Sequence, residues 1–271
     1  MGYLIANWLL DALKLIIGPL AGAFAGAMTA QGIAKHNATI QRRLDELRAT
    51  NAAVSAANAT VAAAAVLKQQ HVSRMKQTYD LLCSARDEAQ ISGHEFHFQA
   101  DLETLPPFRT AVPMLEKLLY ERITASRGLL GLFSVVVQSV GGVSDAIEAR
   151  NTVVKALKAR APVPADELAE VYFGLVTKDG HADLNFPTSL EALAHNIDCV
   201  VLYGCVLAHE LANHADALSR KHKEFPPAEK VNFTNLAQAG LIPDIDETDR
   251  EAFRNLNVVP NLPESGPAKA V

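Results

Sequence analysis

The residues most suggestive of chemistry are His209-Glu210-Leu211-Ala212-Asn213-His214. A zinc-protease helix uses His-Glu-x-x-His, because histidines four apart share one helical face. Here the second histidine comes five residues after the first, rotated about 100° further round the helix. Asn213 stands where the second ligand belongs, which excludes the metalloprotease reading. Cys205 and His209 are four apart on the same stretch, so a thiolate–imidazole contact is geometrically open. Asp198 and Asp216 fall on the same strip. Asp198 lies too many turns away to orient His209, and residues 199–208 are an uncharged run that a core would claim. Cys205 and His209 therefore stand as a candidate polar cluster, read first as a buried thiol beside a helix histidine. His94-Glu95-Phe96-His97-Phe98 offers two imidazoles and a carboxylate, but no further ligand at a diagnostic spacing. It reads as an extended piece that tucks Phe96 and Phe98 into a core. No phosphate loop, dinucleotide fingerprint, nucleophile elbow or calcium loop is present. No catalytic residue, metal or cofactor is expected.

Composition narrows the classes further. The 271 residues are 49% hydrophobic but only 6% aromatic, and the net charge is −5. That balance excludes general nucleic-acid binding, which needs a basic face. Cys83, Cys199 and Cys205 make neither a disulfide framework nor a CxxC pair. Alanine supplies much of the apolar share, with ten in residues 49–66. Small, strongly helix-forming side chains favour close helix packing over sheet.

The candidate groups must be carried by helices, and the first is a membrane segment. Residues 15–34 hold twenty positions without a charge, enough to cross a hydrocarbon core of about 30 Å. Tyr3 and Trp8 precede them as interfacial aromatics. Lys14 comes before the span and Lys35, Arg42, Arg43 and Arg48 after it, so the positive-inside rule puts the main body in the cytoplasm. The alternative is export after signal cleavage, since Ala21-Gly22-Ala23 and its neighbours offer small-x-small sites. Gly18, Gly22 and Gly26 recur every fourth residue, the strip that lets helices associate in lipid.

Residues 33–92 contain neither glycine nor proline. A heptad reading places Ile40, Leu47, Val54, Val61, Lys68, Met75 and Leu82 at a, with Leu44, Asn51, Asn58, Ala65, Val72, Tyr79 and Arg86 at d. This predicts a coiled-coil-like helix, pairing between chains or packing on its own domain. Asn51 and Asn58 would set register, and Lys68 is a weak core position.

Beyond residue 93, prolines and Gly93 mark a loop to 113, and helical patterning resumes over 113–160 with a break expected at Gly141-Gly142. The apolar stretch 129–140 is only twelve residues, short for a second span. Residues 165–176 predict a short helix. Thr188 with Glu191 predicts a capping box opening a helix to about residue 223, and Thr248 with Glu251 a second one. Six of thirteen prolines follow residue 225.

The expected chain is all-α: a single N-terminal transmembrane helix (1–34), a long heptad-patterned helix (35–92), an antiparallel helical bundle (93–224) packing with part of it, and an irregular C-terminal tail with short helices (225–271). Its expected partners are the lipid bilayer, further copies of itself and an unidentified protein. The expected function is that of a non-catalytic membrane-anchored scaffold or adaptor. The alternatives are a membrane-tethered sensor or signal-transmitting subunit, and a thiol- or metal-dependent enzyme.

Overall fold

A computed structural model describes residues 2–160, 163–177, 179–221 and 224–263, with side chains from residue 22 onward. It is all-helical: α1 (Gly2–Leu67), a π-helical turn (Lys68–Val72), α2 (Ser73–Ser92), α3 (Val112–Glu121), α4 (Arg127–Ala159), α5 (Ala165–Phe173), α6 (Asn185–Ser219), α7 (Thr234–Gln238) and α8 (Glu247–Asn255). The chain divides into two compact units, Met1–Arg48 and Ala49–Val271.

The first unit is helical from Gly2. Every residue from 22 to 39 is exposed, including Phe24, Met28 and Ile33. Thr29 Oγ1 donates to the Ala25 carbonyl (2.8 Å), so this hydroxyl is satisfied within its own helix.

The second unit is built around α6, in which the nine residues 200–208 are all buried. A helix apolar on every side must be wrapped. One side is taken by α4. Gly142 lies against Asn196, where a Cβ would stand 2.6 Å from the amide oxygen. Gly141-Gly142 therefore does not break α4, which runs without interruption from Arg127 to Ala159; glycine is needed at 142 for close approach, not for a turn. The actual break falls earlier, between α3 and α4, where Ser126 caps α4 by accepting from the Leu129 amide (3.2 Å). Another side of α6 is taken by α1, whose Val61 side chain meets Gly204. Val54, Val61, Ala65, Val72, Met75 and Tyr79 are all buried within this unit. From residue 54 onward the heptad seam thus faces the chain's own core.

The two N-terminal caps differ from the sequence expectation. Helix α6 begins at Asn185, ahead of Thr188, and its N-cap Leu184 makes no side-chain cap bond. Burial of Phe186 draws this first turn into the core, and Pro187 is tolerated there because first-turn amides lack helical partners. The second capping box exists, but Asp246 and Asp249 make it rather than Thr248 and Glu251.

Extended segments are docked by side chains that take the place of a sheet partner. Asn151 accepts from the Leu105 amide (2.9 Å) and donates to the Leu105 carbonyl (2.8 Å). Asn51 does the same for the tail, donating to the Pro227 carbonyl (3.2 Å) and accepting from the Glu229 amide (3.0 Å). Fully buried Arg150 donates to the carbonyls of Asp101 and Glu103 and lies over the Phe186 ring. Burial pulls its pKa down, offset in part by the charges of Asp101 and Glu103. Phe96 and Phe98, stacked at 5.5 Å, pack against Phe173, Tyr172 and the core beneath them, as expected of that segment.

Among the described residues, three helical stretches could by length and composition cross a bilayer: Gly22–Ser92, Arg127–Ala159 and Asn185–Ser219. The apolar run 129–140 was too short for a span only when taken alone; α4 extends it to 33 residues.

The α1–α6 contact makes a direct prediction. A Cβ at Gly204 would lie 2.7 Å from Val61 Cγ2, and valine is stiff about χ1. Gly204→Val should lower stability by about 1–3 kcal/mol, read by urea denaturation of the detergent-solubilised protein. Adding Val61→Ala should recover part of that loss, and an unaffected single variant would contradict the contact.

Candidate functional site at the π turn

A π-helical turn adds a residue to one turn of helix, and such turns are rare and concentrate at functional positions. Here it occupies Lys68–Val72, between α1 and α2. Beside it opens a cavity of about 490 Å³ whose wall runs from Lys68 through Lys76 to Ser84 and is completed by Ala194 and Asp198 of α6.

Two cross-helix ion pairs bound this cleft. Lys68 Nζ lies 2.7 Å from Asp198 Oδ1 and donates to the Leu241 carbonyl (2.9 Å). Lys76 Nζ lies 3.0 Å from Glu191 Oε1 and 2.5 Å from Asp80 Oδ1. Partners 68–198 and 76–191 run in opposite directions, so α2 and α6 are antiparallel here. Between the pairs lie buried Val72 and half-buried Ala194. Burial alone would lower the Lys76 pKa, but hydrogen bonds and charge from Asp80 and Glu191 outweigh it and raise the value.

The expected Cys205–His209 cluster is divided between two environments. Cys205 is fully buried, and burial pushes its thiol up to about 12. His209 is half-buried, and its Nε2 meets the Asn261 amide nitrogen at 3.3 Å. The thiol–imidazole contact is instead made by Cys199 and His195, at 3.6 Å. Their spacing is also four, so the same rule applied to Cys199 finds them. Burial, followed by the charges of Asp249 and Asp198, raises the Cys199 pKa, opposite to what a nucleophilic thiolate needs. All three cysteines are free.

His97 and Glu95 face each other at 3.5 Å on the surface. Among the described residues no three His, Cys, Asp or Glu side chains converge on a metal-sized space. Gly22 and Gly26 have open space where a Cβ would stand; Gly18 lies outside the residues whose side chains are described.

At a heptad a position Lys68 is a weak core residue, and the heptad pattern carries no sign of the cleft. A lysine recurring at Lys68 and Lys76, with carboxylates at Glu191 and Asp198 on a second helix, was the available signal. It says nothing of the antiparallel docking that pairs them.

Comparison with protein-family models, curated proteins and solved structures finds no match to this chain.

The thiol geometry is testable by alkylation of the native protein at pH 8, followed by mass spectrometry. Half-buried Cys83 should label well ahead of Cys205. Because the folded state holds the Cys205 proton to about pH 12, its contribution is complete below the unfolded thiol range. Above about pH 8.5 that contribution should fall by about 1.4 kcal/mol per pH unit until the folded thiol also ionises. A Cys205→Ala variant should lack this alkaline slope.

Proposed function

We propose that this chain is a membrane-tethered, self-associating helical protein that serves as a scaffold or adaptor without catalytic activity. The observation that carries this reading is the bare helix at residues 22–34. Its residues are exposed all round and uncharged, with Phe24, Met28 and Ile33 exposed. Such a helix gains little from its own chain in water, whereas hydrocarbon satisfies apolar side chains on every face. The other two apolar helices have different uses for their surfaces. Helix α6 spends its apolar faces on the core, and α4 turns Ser134, Gln138, Asp145 and Glu148 outward. That distribution favours a single span, with the body on the cytoplasmic side by the lysine and arginine asymmetry.

Self-association rests on Gly22 and Gly26, both open to a neighbour, in register with Gly18. Close backbone approach along such a strip supports helix pairing in lipid. The heptad seam supports pairing less, because from Val54 onward it is consumed within the chain. The buried, high-pKa thiol at Cys205 supports the absence of cysteine catalysis.

A second reading, a membrane-tethered sensor or signal-transmitting subunit, is favoured by the cleft at the π turn. The helix that carries residues 22–34 leads directly into that turn.

Three measurements address the proposal. The protein should resist alkaline extraction from membranes. Its body should be protected from protease added to the outside of intact cells. In mild detergent it should be larger than a monomer, and Gly22→Ile should shift it toward monomer without altering its helical content. Monomeric behaviour of the parent over a wide concentration range would overturn self-association, and release by alkali would overturn the anchor.

A further inference from the structure

We infer that the cleft beside the π turn is a binding site for a small organic cation: a primary ammonium carried on an apolar body. The inference is independent of the membrane anchor and supplies the sensor reading with its ligand class.

Accessibility sets the sign. The cleft is lined by two lysines, Lys68 and Lys76, and two carboxylates, Asp80 and Asp198, and Glu191 reaches Lys76 from outside the lining. The charges of the lining therefore balance, and what differs is how far each sign is exposed. The lysine side chains are only 16% and 27% exposed, while Asp198, Asp80 and Glu191 are 39%, 54% and 60% exposed. Each ammonium is already turned into its partners, Lys68 toward Asp198 and the Leu241 carbonyl, Lys76 toward Asp80 and Glu191. What an arriving ligand meets is carboxylate oxygen. An anion would have to strip carboxylates from both lysines, leaving those carboxylates beside the same apolar walls. A cation adds a partner to groups that still have exposed oxygen.

Shape and polarity set the rest. Pockets of about 300–1,000 Å³ hold small organic ligands, and this one measures about 490 Å³. Between the two ion pairs its wall is Val72 and Ala194, and Leu81 stands 64% exposed at its edge. A hydrated metal ion or bare diamine would leave that apolar wall wet. A compact aliphatic or aromatic body would cover Leu81 while its ammonium reached Asp80 or Asp198.

The test is a titration of the full-length protein, in a neutral maltoside detergent, with phenethylammonium. Phenylacetate serves as the matched anion and putrescine as the cation without an apolar body, all followed by calorimetry. Phenethylammonium should bind saturably, and the other two at least about tenfold more weakly, a difference of about 1.4 kcal/mol. Asp80→Asn and Asp198→Asn should each weaken phenethylammonium by about tenfold or more. Leu81→Arg, on an exposed side chain, places a cation at the rim and should abolish binding without unfolding the protein. Circular dichroism checks each variant, and Leu81→Arg decides the matter if Asp198→Asn fails to fold. Equal binding of phenylacetate, unchanged binding by Leu81→Arg, or no saturation by phenethylammonium overturns the site. Alkaline extraction of the same variants should be unchanged, so failure of the site and failure of the anchor are separate results.

Discussion

Helix α6 is buried on every side over residues 200–208, and covering it is the requirement the rest of the second unit meets. Over two turns of helix no face is left for solvent, so neighbours must approach from several directions at once. Close approach needs small residues at the crossings. Gly142 of α4 meets Asn196, and Gly204 of α6 meets Val61 of α1. Alanine in residues 49–66 serves the same end, since Ala53, Ala57 and Ala64 are buried with almost no exposed surface. The shortage of aromatic residues follows from this packing. Six of the sixteen aromatic residues form one cluster, Tyr79, Phe96, Phe98, Tyr172, Phe173 and Phe186.

Helices alone do not close the surface around α6, and irregular chain does the remainder. Irregular backbone brings polar groups with it, and those groups need partners when covered. Asn51 and Asn151 each offer one donor and one acceptor to an extended segment, which is the pattern a neighbouring strand would present. Arg150 meets two further carbonyls from within the core. At the tail, Asp249 both closes the capping box of α8 and accepts from the Tyr203 hydroxyl at 2.9 Å. A single carboxylate thus ends one helix and fixes it to α6. Two polar residues of the heptad seam have the same logic. Asn51 holds the tail, and Lys68 holds Asp198 and Leu241. Both find these partners within their own chain.

All-helical character, the location of the uncharged N-terminal stretch, the long proline-free helix and the extended Phe96–Phe98 segment were legible from residue types alone. Each depends on local chemistry: helix propensity, absence of charge, or prolines that withhold an amide. The misjudged points depend on what lies opposite. Gly141-Gly142 reads as a break until Asn196 is placed against it. Cys205 and His209 share a strip on one helix, yet one faces the core and the other meets Asn261 from the tail. Thr188 looks like a cap until burial of Phe186 starts the helix earlier.

The sequence by itself determined that the chain is helical and where a charge-free span could lie, because hydrogen bonding within a helix and the absence of charge are properties of contiguous residues. Only the tertiary structure decided that the heptad seam closes on its own chain, and that Lys68 and Lys76 face Asp198 and Glu191 across a cleft. Those outcomes join residues more than a hundred positions apart. Their pairing is set by how α1, α2 and α4 wrap a helix that is buried on every side over residues 200–208, and no local pattern encodes that geometry.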